Sequence, residues 1–417
     1  MKTFMITVAC LALQGAAYGG SVSTPITLTA DAGRLTVDPN GSGIALFDRK
    51  FNCGDGATVY HIFAIPLSGG GTPYPIDCGM DFGPGNRASA PADRGNPEFS
   101  PDGHHVILQA RNGSLTCTGN SPGQGLCYDV WISAVSEPKK VLTGKPVQVT
   151  AVTSVGGVLH PQLSHVTSGG FAYWAQRTAG PNGCPGGNAN NECGTGFWEH
   201  CVASVVYGTL AVGKPGCWHD TSLGQAAGVE SNWIGGTWGT QPGSDDHWLY
   251  FAGNAHTGQS AWTPQIMRGL WNGRFDTPAF VRVEELTPFS PKTPRWTEHV
   301  KVNATNDQMC WGDSTGTNYN GTPSDAKLDL WCAAKDSTGP FQLTFFNQTG
   351  SPEFTRKATL TADSEFTPDG SSLVVYENQQ GVGPLLTVAL KSQKSVGTTT
   401  VAVSDKKVTG VRLRPPQ

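Results

Sequence analysis

Two histidines, His160 and His299, stand in a spaced series with Arg34, Asn96 and Asp363. A neutral imidazole takes up a proton, an imidazolium releases one, and both forms coexist near neutral pH. Asp363 can orient a histidine, and Arg34 can bind and neutralise a substrate carboxylate. Such a set suits β-elimination from a uronate. That reaction needs a cation on the carboxylate, a base at the C5 proton and an acid at the leaving oxygen. On this reading His160, His299 and Asp363 are the catalytic residues, and Arg34, Asn96, Trp238 and Glu298 bind substrate. Trp238 directly precedes Gly239, the sixth member of the series, and offers a flat face for a sugar ring or an apolar aglycone. Glycoside hydrolysis is the variant. It needs two carboxyl groups across the scissile bond, one of them with a raised pKa; Glu298, Asp363 and Glu230 are available. Glu98 and Glu365 are expected to face neighbouring repeats instead.

These residues belong together because each opens a copy of an internal repeat of about sixty residues. Asn96-Pro-Glu-Phe-Ser-Pro-Asp-Gly103 precedes the apolar run His105-Val-Ile-Leu108, and Asp363-Ser-Glu-Phe-Thr-Pro-Asp-Gly370 precedes Leu373-Val-Val-Tyr376. Both read as a strand, an Asp-Gly turn and a second strand. Weaker copies begin at Arg34, His160, Gly239 and His299. Each is followed by a third strand, as in Tyr60-His-Ile-Phe-Ala-Ile65 or Leu328-Asp-Leu-Trp-Cys332. Six such units predict an all-β, six-bladed β-propeller with four-stranded antiparallel blades, a single domain over residues 20–417. Ile26–Ala30 and the tail Thr399–Val403 are the two candidates to complete a blade, and the tail from Thr399 to Gln417 is expected to contribute the closing strand. In a propeller the first strand of each blade lines the central channel. The opening residues of the repeats should therefore ring one channel mouth. Loops 111–126, 178–198, 253–263 and 313–327 should open on that face, and the Asp-Gly turns on the opposite one.

The phrase Pro97-Glu-Phe-Ser-Pro-Asp-Gly103, with strands such as Tyr60-His-Ile-Phe-Ala-Ile-Pro-Leu-Ser-Gly-Gly70, resembles the TolB-type six-bladed propellers. The resemblance implies the fold and is silent on activity. The segment Glu298-His-Val-Lys-Val-Asn-Ala-Thr-Asn-Asp-Gln-Met-Cys-Trp311 resembles the histidine-bearing strand of oligogalacturonate lyases, propellers with a manganese site. That likeness implies a strand histidine at His299. No histidine follows it in the chain, so that family's further histidine ligands have no counterpart, and neither a metal nor another cofactor is expected. Saponin hydrolase-like secreted propellers are similar in fold and compartment.

Composition bounds the alternatives. Charged residues make up 14% of the 417, with 54 glycines and 29 prolines, which excludes a coiled coil or helical bundle. A net charge of -4 without a basic patch argues against nucleic acid and anionic membranes as partners. Lys2, the apolar run Phe4–Leu13 and Ala16-Ala-Tyr-Gly19 predict a signal peptide over residues 1–19, hence a secreted, extracellular protein. Its removal takes Cys10 and leaves an even set of cysteines, read as disulfides Cys53–Cys78, Cys117–Cys127, Cys184–Cys193, Cys201–Cys217 and Cys310–Cys332. Sequons at Asn40, Asn112, Asn303, Asn320 and Asn347 permit glycosylation. The expected partner is a saccharide or glycoside bound by a monomer. The alternative is a non-catalytic propeller that binds a glycan or another protein.

Overall fold

Short apolar-alternating segments punctuated by glycine turns favour strands over helices, and the described chain contains strands alone. The computed structural model describes residues 26–390 apart from 84, 90, 117–126, 153–156, 165–169, 178–197, 219–247, 254–262, 289–291, 304, 306, 318, 322–326, 336, 352–359 and 379–382.

Six antiparallel sheets follow one another along the chain as the blades of a propeller. Blade 1 runs Leu35–Val37, Ile44–Phe51, Val59–Pro66 and Tyr74–Pro75. Blade 2 runs Arg94–Phe99, His105–Arg111, Tyr128–Ser136 and Val141–Gln148. Blade 3 runs Gly157–Leu163, Gly170–Arg177, Trp198–Val206 and Ala211–Val212, with Gly216–Trp218 as a fifth strand. Blade 4 comprises Trp248–Gly253, Gln265–Trp271 and Phe280–Glu285; its expected first strand, 239–246, lies outside the described residues. Blade 5 runs Thr297–Val302, Gln308–Asp313, Asp329–Ala334 and Phe341–Gln342. Blade 6 runs Leu360–Phe366, Ser372–Asn378 and Gly383–Ala389, and its outermost strand is Ile26–Ala32 from the other end of the chain. The expectation of four strands per blade thus holds for blades 1, 2, 5 and 6. The expectation that the tail supplies the closing strand is corrected here: the N-terminal strand Ile26–Ala32 pairs with Gly383–Ala389 and fills the place, while the tail 399–403 lies outside the described residues.

Each blade-to-blade interface has its own apolar cluster. Leu46, Ile62 and Val106 pack between blades 1 and 2, Ile107, Val130 and Trp174 between 2 and 3, and Tyr173, Leu249 and Phe251 between 3 and 4. Tyr250, Val300 and Trp311 join blades 4 and 5, Leu330, Phe346 and Val375 join 5 and 6, and Leu28, Phe47 and Val374 join 6 and 1. Fully burying one such side chain contributes about 1.5–3 kcal/mol, so the interfaces together close the ring around a narrow channel.

Three of the expected disulfides are present: Cys53–Cys78, Cys201–Cys217 and Cys310–Cys332. The last two link residues directly opposite one another on paired strands. Cys127 is disulfide-bonded, while Cys117, Cys184 and Cys193 lie outside the described residues. The Cys53–Cys78 bond also accounts for the grouping of these two sulfurs with His61, because zinc is held by free thiolates.

The connection from blade 1 to blade 2 is pinned by Arg94, which is fully buried. Its Nη1 donates to the Asp77 carbonyl at 2.9 Å and to Asp77 Oδ2 at 3.2 Å, its Nε to Asn86 Oδ1 at 3.0 Å, and its Nη2 to the Met80 carbonyl at 3.0 Å. Arg94→Met leaves Asp77 buried without its main counter-charge, and a loss of about 3–5 kcal/mol is expected in urea unfolding. Arg94→Lys should recover only part of it, since one ammonium cannot span the fork's acceptors. A loss below about 1 kcal/mol would show that this connection is held by something else.

Candidate functional site

Arg34, Asn96, His160, His299 and Asp363 line one cavity, together with Glu98 and Lys301. Its volume is about 30 Å³, room for a water or two rather than for a sugar ring. Five blades therefore deliver their repeat-opening residues to one place. Glu298 joins them through His299. Trp238, Gly239 and Glu230 lie outside the described residues.

One expectation is corrected at this point. Asn96, His160, His299 and Asp363 do not begin their strands; each sits within one, beside a register shift. The shifts fall between Gly95 and Glu98, Leu159 and Gln162, Glu298 and Lys301, and Thr361 and Asp363. Each is a β-bulge in which the inner strand carries an extra residue. Three of the ring residues take left-handed backbone: Asn96 at φ 48°, His160 at φ 49° and His299 at φ 55°. Asparagine and histidine enter this region more readily than most side chains, yet such conformations still cost on the order of 1–3 kcal/mol each. The same distortion at the same repeat position in three blades re-aims three side chains toward the channel. The sequence carried a trace of it, a polar Asn or His followed by proline in Asn96-Pro97 and His160-Pro161, residues that a regular inner strand avoids.

The electrostatics divide the two imidazoles. Asp363 Oδ1 lies 2.7 Å from His299 Nδ1, and Glu298 Oε1 lies 3.5 Å from His299 Nε2. Burial by itself would lower the His299 pKa, but these carboxylates outweigh it and hold the imidazolium above the ordinary histidine value. His160 faces His299 with ring centroids 5.1 Å apart. Its pKa is pushed well below the ordinary value by burial first, then by the charges of His299 and Arg34. Burial would raise Asp363, but His299 and Arg34, whose Nε lies 3.3 Å from Asp363 Oδ2, hold it well below the usual carboxylate range. Burial raises Glu298 against the pull of His299. Side by side, then, stand one imidazole driven toward its neutral form and one driven toward its protonated form.

Two further features escaped the sequence. Asp48, in blade 1, accepts the Arg34 N–H at 3.2 Å and the Asn96 N–H at 3.0 Å, and burial raises its pKa to about 6. Below the ring, Lys301 Nζ lies 3.1 Å from Glu98 Oε2 and 2.8 Å from Glu365 Oε2. These are the residues two places after His299, Asn96 and Asp363. Both glutamates reach a neighbouring blade as expected, Glu365 of blade 6 through Lys301 of blade 5 and Glu98 of blade 2 through Thr36 of blade 1, whose Oγ1 donates to Glu98 Oε1 at 3.3 Å; unforeseen is the contact of Glu98 with Lys301 across the channel. Burial raises Glu98 to about 7, with Lys301 opposing and Glu365 reinforcing.

His160, His299 and Asp363 present three donor atoms within 4.8 Å of one another, which a divalent cation could in principle bridge. Their partners fit proton sharing better. Asp363 already serves His299 and Arg34, so a cation at that point would displace an imidazole and lie against a guanidinium.

No protein-family model and no curated protein matches the sequence. Solved structures do resemble the chain. A putative TolB from Agrobacterium tumefaciens is 12% identical, with 86% of this chain and 90% of that one covered and a TM-score of 0.44. An oligogalacturonate lyase in complex with manganese is 10% identical, with 88% and 93% covered and a TM-score of 0.43. A Trypanosoma rangeli sialidase in complex with the inhibitor DANA is 12% identical, with 90% and 57% covered and a TM-score of 0.47. Identities this low speak to fold and not to chemistry, and the propeller assignment stands on the sheets themselves.

Proposed function

We propose that this chain is an extracellular enzyme that cleaves a uronate-containing saccharide or glycoside by β-elimination at the channel mouth. The observation that carries this reading is the pair His160 and His299, facing each other across 5.1 Å with pKa values driven in opposite directions. The substrate carboxylate binds the outer edge of Arg34, whose side chain is 22% exposed. Neutral His160 takes the C5 proton. The electron pair of that C–H bond forms the C4=C5 double bond as the C4–O4 bond breaks, and His299 delivers its proton to the departing oxygen. Asp363 keeps His299 charged for that step. Because the cavity is small, the C4–C5 edge of the sugar reaches the imidazoles while the rest stays in the mouth.

Elimination is favoured over hydrolysis because Glu298 and Asp363 both contact His299. Neither is free to flank a scissile bond as a two-carboxylate hydrolase requires. Three disulfides suit an oxidising compartment, and no helix among the described residues is long and apolar enough to cross a membrane.

A product screen tests the reading. The mature protein is incubated with pectic, glucuronoxylan, gum and saponin substrates and followed by the ultraviolet absorbance of unsaturated uronates and by reducing sugar. Absorbance growth is the expected result. Reducing sugar without absorbance would replace elimination by hydrolysis. Silence on all four would favour a glycan-binding propeller and make a glycan array the deciding measurement.

A further inference from the structure

Asn96 is 5% exposed and lines the cavity, yet neither its Nδ2 nor its Oδ1 has a partner. Leaving both ends of a buried amide unsatisfied is unfavourable, and the arrangement makes sense where a ligand completes it. The Asn96 backbone is also held under strain at φ 48° by Asp48 Oδ2, while Asp48 Oδ1 holds the Arg34 backbone. One buried carboxylate therefore fixes the spacing between a cation and an open amide on adjacent blades. Room for it depends on Gly33: a Cβ there would lie 1.9 Å from Asp48 Oδ1. A carboxylate alone satisfies Arg34. The amide asks for a group that both accepts and donates, which is what a hydroxyl does.

We propose that Arg34 and Asn96 form a subsite for a ring carboxylate with a neighbouring hydroxyl, in which Asn96 reads the hydroxyl and Asp48 is the positioning residue that sets its distance from Arg34. The choice of ligand rests on the uronate reading above. The subsite adds a specificity that the acid–base pair does not supply: it separates uronates from carboxylates without hydroxyls and from neutral sugars.

Binding, measured by calorimetry or saturation-transfer NMR, tests it without turnover. The probes are D-galacturonate, D-glucuronate, D-galactose and tetrahydropyran-2-carboxylate, a uronate ring stripped of hydroxyls. The wild-type protein should prefer a uronate to both controls. Asn96→Ala should weaken uronate binding about tenfold and leave the stripped carboxylate unchanged. Asp48→Asn keeps the shape but offers one acceptor fewer to the two N–H groups; it should erase the same preference in a protein whose unfolding remains cooperative. If Asn96→Ala fails to fold, Asn96→Asp keeps the left-handed preference and should repel the uronate. Equal weakening of both carboxylates by Asn96→Ala, or no uronate binding by the wild type, overturns the subsite. Uronate binding that depends on Asn96 without elimination would overturn the enzyme reading alone. Elimination by an Asn96→Ala protein with unchanged uronate affinity would overturn the subsite alone.

Discussion

His299→Gln lowers turnover on a uronate substrate by about a hundred- to ten-thousand-fold, the range that a positioned proton donor contributes. Glutamine fills similar space but cannot release a proton, so binding should change far less than turnover. His160→Gln, which removes the base, should fall in the same range. The pH profile distinguishes these roles from structural ones. Because the His160 pKa is lowered, the residue is already neutral below the ordinary histidine range. Because the His299 pKa is raised, it keeps its proton to higher pH than an ordinary histidine does. Activity should form a plateau bracketing the usual histidine value of about 6.5. It falls in acid as His160 takes up a proton, and in alkali as His299 loses its own. Asp363→Asn removes the main support of the imidazolium and should move the alkaline limb to lower pH. An active His299→Gln protein, or a profile with no alkaline limb, would remove His299 from the mechanism.

The second large effect is on stability. Lys301 is 8% exposed and is the shared counter-charge of Glu98 and Glu365, which come from two other blades. Lys301→Met leaves two half-buried glutamates without it, and a loss of about 3 kcal/mol, the lower end for an uncompensated buried charge, is expected. The sign of the pH dependence is fixed by Glu98. The folded-state pKa of Glu98 already lies above its unfolded value, at about 7. Its charged form is therefore the unfavourable one, and removing Lys301 raises that pKa further. The penalty should be largest above pH 7 and shrink in acid, where Glu98 takes up a proton. The combined variant Glu98→Gln, Lys301→Met and Glu365→Gln should recover most of the loss. Urea unfolding across pH measures all of this. A penalty under about 1 kcal/mol at alkaline pH would mean that solvent already shields the two carboxylates.

The repeat phrase ending in Asp102-Gly103 and again in Asp369-Gly370 was enough to read the propeller, because a tight turn between two apolar runs leaves few alternatives. Both glycines indeed take left-handed turns. The same spacing brought Arg34, Asn96, His160, His299 and Asp363 to one mouth. What it could not carry was the bulge. A one-residue insertion shifts the ring position from the start of a strand to its interior without altering the spacing between repeats. Asp48 was hidden for another reason: in sequence it is one polar residue at the end of the run Ile44-Ala-Leu-Phe47, and its importance comes from two backbone N–H groups that meet only in the folded ring. Lys301, Glu98 and Glu365 lay on the same face as the predicted residues, but their pairing crosses three blades.

The strand Ile26–Ala32 completes the blade that ends at Ala389. A ribosome releases that first strand long before its partner exists. At roughly 5–20 residues per second the interval runs to tens of seconds. Throughout it, Ile26-Thr-Leu-Thr-Ala30 is a β-forming segment with no edge to join, and the edge it eventually meets is equally bare until it arrives. Two chains made close together can trade these segments, each sealing the other's ring through the same contacts that seal its own. The strand order of this blade thus makes the single closed molecule and the strand-exchanged pair two products of one set of contacts.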